Sequence, residues 1–383
     1  MKKYLLILSL AAIALFLNIL NIKPNTEKIK IGNKQTKNIN IASFEKNQKP
    51  KNIILIIGDG TGLNQVTLSR IAIGGLDFKL AIDQMPYTGF SLTHSYNNAY
   101  TDSAAAATSW ATGKKTNNKF LSVDVNKKKL KTLPEILYEK GFLSGLVSTS
   151  SITHATPAAF YAHIDSRYKE EEIANQLIAS SISIALGGGK EFFDNERLKK
   201  NSLYISDKES LEELDLSVSR RVIGLFDKDG IERSPEKPTQ QEMTNVALNF
   251  LKTKTNNCKG FFLMSEGSQI DWAAHDNDAK KMITEFEDFD KTIRLAMEYV
   301  GKNKDTLLII TADHETGGLQ ILKQDKDYVE IQWGTGRHTG IPVGVYAYGP
   351  GASHFTGLMD NTEIYHKIIS ILSVDELEPV ACI

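Results

Sequence analysis

Asp271 and His275, in Ile270-Asp271-Trp272-Ala273-Ala274-His275, stand four positions apart, a spacing that puts both side chains on one face of a helix as a workable pair of metal ligands. Asp313 and His314 are adjacent, and His338 ends the glycine-rich run Gly334-Thr335-Gly336-Arg337-His338. Imidazoles and carboxylates in threes and fours suit zinc with positions open for a substrate. Asp59 sits in the glycine turn Gly58-Asp59-Gly60-Thr61-Gly62, and Glu266 in Ser265-Glu266-Gly267. Ser103 offers a different chemistry. It precedes four alanines, Ala104 to Ala107, and alanine has the highest helix propensity. Asp102 or Ser103 is a good N-cap, so Ser103 belongs at a helix start, where the dipole and free amides favour an alkoxide and an incoming anion. Taken singly, each of these residues also has an ordinary role as turn former, cap or solvated side chain.

What gathers them is their place relative to the expected strands. Residues 53–57 form an unbroken aliphatic run, the pattern of a strand buried on both faces. It leads into the turn that holds Asp59. Runs at 141–150, 261–264 and 306–310 lead into Thr153-His154-Ala155-Thr156-Pro157, Ser265-Glu266-Gly267 and Thr311-Ala312-Asp313-His314, and residues 343–348 lead into Gly349-Pro350-Gly351. Helical patterns at 132–140 and 280–300 lie between them. This alternation predicts an α/β fold, a sandwich of helices on both faces of a central, largely parallel sheet. In such sheets the ligand site lies beyond the carboxyl ends of the strands, where Asp59, Thr156, Glu266, Asp313 and His314 all fall. His94, His163, His354 and His366 carry no spacing argument and are read as structural or solvated. Residues 235–242 read as a surface loop.

Two cysteines, Cys258 and Cys382, allow at most one disulfide and exclude a cysteine-rich metal site. The formal net charge of -1 hides an asymmetry: residues 1–51 hold ten lysines, no arginine and two glutamates, so the remainder is acidic. An acidic body argues against a nucleic-acid partner. Met1-Lys2-Lys3 and the uncharged run 4–22 read as an export signal. No small-x-small site follows the run, which borders on a spanning length, so residues 1–22 suit either a cleaved signal peptide or a retained membrane tether. The Lys- and Asn-rich stretch 23–51 is expected to be a solvated tether, with the folded body from 52 to 383.

Six ordered segments resemble bacterial alkaline phosphatases: GDGTG at Gly58, TDSAAAATSWATG at Thr101, THATPAAFYAHIDSR at Thr153, EGSQIDWAAH at Glu266, TADHETGG at Thr311 and GRHTG at Gly336. The resemblance implies a three-layer α/β/α sandwich and an exported enzyme that hydrolyses small phosphate monoesters to alcohol and inorganic phosphate. It implies two zinc ions and one magnesium ion. Asp271, His275 and His338 would hold one zinc, and Asp59, Asp313 and His314 the other. Asp59, Thr156 and Glu266 would hold magnesium. Ser103 would be the nucleophile that becomes a phosphoserine, and Arg167 would grip the phosphate oxygens. His154 and Trp272 stand where the family varies and are carried as neighbours of the third metal or the phosphate. The short interval from His314 to His338 leaves room for only a minimal crown insertion, about 319–335, and leaves a homodimer open. The alternatives are a phosphodiesterase or another hydrolase of the same superfamily and, more remotely, a non-catalytic exported zinc-binding protein.

Overall fold

The structure is a computed structural model that describes residues 26–45, 47–218 and 221–382; the expected signal or anchor at 1–22 lies outside them. Among the described residues no helix is long and apolar enough to cross a membrane. Ten strands among the described residues form one sheet in the order Gly357–Asp360, Tyr87–Leu92, Val343–Tyr348, Thr306–Thr311, Asn52–Gly58, Gly260–Gly267, Phe142–Ser151, Ile184–Gly188, Val222–Leu225, Leu203–Ile205. Every neighbouring pair is parallel except the two made by Val343–Tyr348, which runs antiparallel to both of its partners. That reversal corrects one expectation. Gly349-Pro350-Gly351 follows the reversed strand and so leaves the sheet at the edge opposite the other strand ends.

The central strand shows why the sheet is buried on both sides. Ile53, Leu55 and Ile57 enter one apolar cluster with the helices Ser103–Thr112, Leu133–Glu139, Glu170–Ala179 and Asn361–Ile371. Ile54 and Ile56 enter the other, with Leu63–Gly74, Gln240–Lys254 and Ala279–Lys302. Period-two alternation therefore serves two cores, and the three layers follow. Register then lines up the chemistry: Ser148 pairs with Glu266, Glu266 with Ile57, and Ile57 with Thr311. One row across four strands carries the chain into Asp59, Asp313 and their neighbours.

The solvated tether is contradicted. Thr26–Lys30 pairs antiparallel with Tyr328–Gln332, which also pairs with Gln320–Asp325, so the N-terminal stretch is the third strand of a small sheet made from the segment expected to be a reduced crown. Ile29 is buried between this sheet and the body. The amide of Ala42 donates to Tyr348 Oη at 2.7 Å, and Phe44 packs edge-on against the same ring. The segment is polar enough to read as a tether, yet a few apolar residues and an open strand edge elsewhere suffice to order it. The loop expected at 235–242 ends earlier, because Thr239 caps the helix Gln240–Lys254 in a reciprocal box with Glu242. Cys258 and Cys382 form a disulfide with Cα atoms 4.9 Å apart.

Candidate metal centre

Three clusters of potential ligands meet at the carboxyl ends of the strands: Asp271, His275 and His338; Asp59, Asp313 and His314; and Asp59, His154 and Glu266, with ligand atoms within 4.8 Å of one another in each. The sequence pairs behave as their spacing demands. Asp271 and His275 share one face of the helix Gln269–His275, with His275 Nε2 at 3.3 Å from Asp271 Oδ2. His338 Nε2 lies 3.0 Å from His275 Nε2 and 3.8 Å from Asp271 Oδ1. Two ring nitrogens at that separation repel unless something lies between or a proton is shared. Their other nitrogens explain the aim: His275 Nδ1 donates to Gly336 O and His338 Nδ1 to Thr101 O, each at 2.9 Å. A carbonyl on Nδ1 fixes the tautomer that presents Nε2 as a ligand.

In the second cluster His314 Nε2 lies 2.9 Å from Asp313 Oδ2 and 3.7 Å from Asp59 Oδ1, with all three side chains fully buried. Asp313 Oδ1 accepts the amides of Gly60 and His314 at 3.0 and 2.9 Å, while both oxygens of Asp59 have no hydrogen-bond partner and the close pair Asp313 Oδ2 and His314 Nε2 is not aligned for a hydrogen bond. The third cluster adds Glu266 Oε1, Thr156 Oγ1 and His154 Nδ1 to these buried, unpartnered atoms. Seven such atoms in one place, four of them carboxylate oxygens, would cost several kcal/mol each if left unpaired. The donor set, oxygen and imidazole nitrogen with no thiolate, fits divalent cations of the zinc and magnesium type.

The electrostatics follow from the same crowding. Burial, then the charges of Asp313, Asp271 and Glu266, pushes the Asp59 carboxyl well above its usual range. Burial also acts to raise Asp313, but His314 beside it brings that carboxyl below its usual range. Burial and the neighbouring His314 push His338 down to about 4. The hydrogen bond to Asp271 lifts His275 to about 9.

Ser103 is the first residue of the helix Ser103–Thr112 and is 2% exposed. Asp102 is the N-cap, its Oδ1 accepting the Ala105 amide at 3.0 Å. Asp102 Oδ2 accepts the Lys119 amide at 3.0 Å and Arg167 Nη1 at 3.2 Å. Ser103 thus follows two residues that are tied to the site: Thr101, whose carbonyl binds His338, and Asp102, whose carboxylate binds Arg167. Arg167 Nη2 donates to His154 Nε2 at 2.9 Å. Burial and that guanidinium push His154 down to about 3, so the ring stays neutral, with Nε2 against Arg167 and Nδ1 buried without a partner. Trp272 packs edge-on to His154, with ring centroids 5.9 Å apart, and against Gly230, where a Cβ would collide with the indole.

Several contributing residues had no spacing signal. Thr316 Oγ1 donates to Asp271 Oδ1 and lies 3.2 Å from His314 Nδ1, so one hydroxyl spans two clusters. Glu315–Thr316 and His338–Thr339 form a two-stranded pair that places His338 opposite Thr316, and buried Glu315 ties this pair together through Gln65 and Thr339. Ser148 and Ser268 bind Glu266. The TADHETGG segment contains Thr316, but only the fold shows what its hydroxyl touches.

A buried acid-and-imidazole centre beside a serine at a helix N-terminus is the equipment of a metal-dependent hydrolase. The sequence profile of the alkaline phosphatase family matches residues 50–330 and 321–374. Alkaline phosphatase 4 of Bacillus subtilis is 33% identical over an alignment covering 86% of this chain and 91% of its own, and the alkaline phosphatase of Escherichia coli is 30% identical with 85% and 86% covered. Alkaline phosphatase from the Antarctic bacterium TAB5 has a structure that superposes with a TM-score of 0.77 at 34% identity, covering 85% of this chain and 98% of that one. The chain belongs to the alkaline phosphatase family and is a phosphoric monoester hydrolase.

Proposed function

We propose that this chain is an exported alkaline phosphatase that hydrolyses phosphate monoesters through a phosphoserine at Ser103, in a site for two zinc ions and one magnesium ion. The observation that carries this reading is the convergence of three ligand clusters, two of them lined by buried, unpartnered atoms, on the edge where the Ser103 helix begins. Asp271, His275 and His338 would hold one zinc, Asp59, Asp313 and His314 the second, and Asp59, Thr156 and Glu266 the magnesium. A TAB5 alkaline phosphatase with one histidine changed to aspartate has magnesium bound in its M3 site, which supports a magnesium reading of the third group. When bound, a pair of zinc ions supplies Lewis-acid stabilisation of the oxygens that enter and leave phosphorus in an in-line displacement.

The chain's own residues carry the rest. Ser103 Oγ forms the bond to phosphorus as the ester P–O bond breaks and the alcohol departs, and water then cleaves the Oγ–P bond to release inorganic phosphate. The helix amides behind Ser103 favour the anion at this position. Arg167, clamped between Asp102 and His154, presents a preset guanidinium to the non-bridging oxygens. His154 stays neutral beside that arginine, so it adds no competing charge. The leader at residues 1–22 supports export, and so does the Cys258–Cys382 disulfide, because such bonds persist in oxidising compartments. The test is Ser103→Ala: loss of p-nitrophenyl phosphate turnover, together with loss of an acid-stable phosphoprotein in rapid-quench experiments, is expected. Full turnover by this variant would overturn the proposal, and faster hydrolysis of bis-p-nitrophenyl phosphate than of the monoester by the wild type would favour a diesterase.

A further inference from the structure

Glu266 is divided by its surroundings into two unlike oxygens. Oε2 accepts the hydroxyls of Ser148 and Ser268 at 2.6 and 2.7 Å, whereas Oε1 is buried without a partner and faces Asp59 and His154. The two serine oxygens are 2.8 Å apart, and the amide of Ser150 donates to both at 3.2 Å. Each hydroxyl has a single proton, so an amide placed against their lone pairs turns both protons toward the carboxylate. The pair is itself braced. Ser268 donates its amide to Thr149 Oγ1 at 2.9 Å, and Gln269 reaches the Thr149 carbonyl at 3.0 Å. Ser148 and Ser268 are fully buried and come from the ends of adjacent parallel strands, in the register that pairs Ser148 with Glu266.

We propose that Ser148 and Ser268 are positioning residues that hold Glu266 as a one-oxygen ligand and thereby make the third cation site select magnesium over calcium. The inference rests on the reading of that site as a divalent-cation site. Its chemistry is simple: magnesium demands a near-octahedral shell of single oxygens at short distance, whereas calcium tolerates larger, irregular shells and readily takes both oxygens of a carboxylate. Two hydroxyls on Oε2 leave only Oε1 to give. Without them the carboxylate is free to rotate and offer both oxygens, and the penalty against calcium disappears.

The experiment is calorimetric titration of MgCl2 and of CaCl2 into zinc-loaded full-length protein, comparing wild type, Ser268→Ala, the Ser148→Ala/Ser268→Ala pair and Ser268→Thr. The double variant is expected to lose magnesium affinity by about 10- to 100-fold, the range found for second partners of metal ligands, with calcium affinity held or improved. The magnesium-to-calcium preference therefore falls. Ser268→Thr, which keeps the hydroxyl, is expected to retain the wild-type preference. If the double variant fails to fold by circular dichroism, the Ser268→Ala single variant carries the test, with a smaller drop in the same ratio. An unchanged ratio in the alanine variants overturns the role of the serines while leaving the third site intact. A wild type that takes up neither cation overturns the third site and the serine role with it.

Discussion

The imidazole of His314 lies flat on that of His338, with ring centroids 3.5 Å apart and planes 19° from parallel. The two rings belong to different ligand clusters, so this stack sets the spacing between them from within the protein. Two imidazoles in such contact do not both accept protons readily. The structure resolves the competition in favour of His314, raised by Asp313 against the effect of burial, and leaves His338 neutral down to about pH 4.

His275 sets a pH dependence for metal uptake and for stability. In the metal-free chain its pKa rises from 6.5 to about 9, first through the hydrogen bond to Asp271, so the ring is protonated at neutral pH and must release a proton to become a ligand. Zinc binding near neutral pH is expected to release about one proton at this cluster, read as a dependence of the calorimetric heat on buffer ionisation enthalpy. Affinity then weakens as pH falls below 9. The stability consequence has the opposite sign: a raised folded pKa means the contribution is complete below 6.5 and fades as pH rises through 9. Urea midpoints of metal-free wild type and His275→Gln are expected to differ at about pH 6 and to converge above about pH 9. Heats that are identical in all buffers would contradict this assignment.

Thr316 is the hydroxyl shared by Asp271 and His314. Thr316→Val keeps the shape and removes both hydrogen bonds, so about a 10- to 100-fold loss of zinc affinity is expected with little change in fold. Zinc content after dialysis against a graded chelator series measures it. Retention equal to wild type would mean that the ligands are oriented without this residue.

Arg167→Ala removes the group proposed to grip phosphate. A hydrogen bond to a charged group contributes about 1.5–3 kcal/mol, so competitive inhibition by inorganic phosphate should weaken by about 10- to 150-fold. Arg167→Lys is expected to recover little of this, because an ammonium cannot reproduce the planar fork that reaches Asp102 and His154. Phosphate inhibition that survives in both variants would remove Arg167 from the site.

The Cys258–Cys382 bridge ties the C-terminal tail to the base of the sheet, closing a loop of sequence separation 124. The same tail is held by Lys140 on Leu377 O and by the Val380 amide on Glu139 O. Cys258→Ser together with Cys382→Ser is expected to lower unfolding free energy by about 2–5 kcal/mol while turnover at room temperature is unchanged, since the bridge lies at the amino ends of the strands. Denaturant melts with and without reductant test this: wild type in reductant should match the variant.

Much of the fold was legible because its signals are local. The aliphatic run at 53–57 followed by a glycine turn announces a two-sided buried strand, and the proline-containing segment after Thr132 starts a helix through the capping box with Glu135. The strands Leu203–Ile205 and Val222–Leu225 are too short to show a period, and they exist by pairing at the sheet edge. The direction of Val343–Tyr348 was likewise hidden, since a buried apolar strand reads the same in either orientation.

Residue type and order by themselves determined that any metal would have to rest on imidazole and carboxylate, that Asp271 and His275 would share a helix face, and that acids would collect at the carboxyl ends of parallel strands. These are consequences of helical and strand periodicity, which act over a few residues. Tertiary structure alone decided that residues 26–45 are a folded part of the body, that Asp102 rather than Ser103 caps the helix, and that Thr316 and Ser148 reach ligands far away in the chain. Hydrogen bonds between side chains such as Ser148 and Ser268, 120 positions apart, leave no periodic trace. They are set when the strands come into register, and that event depends on the whole core.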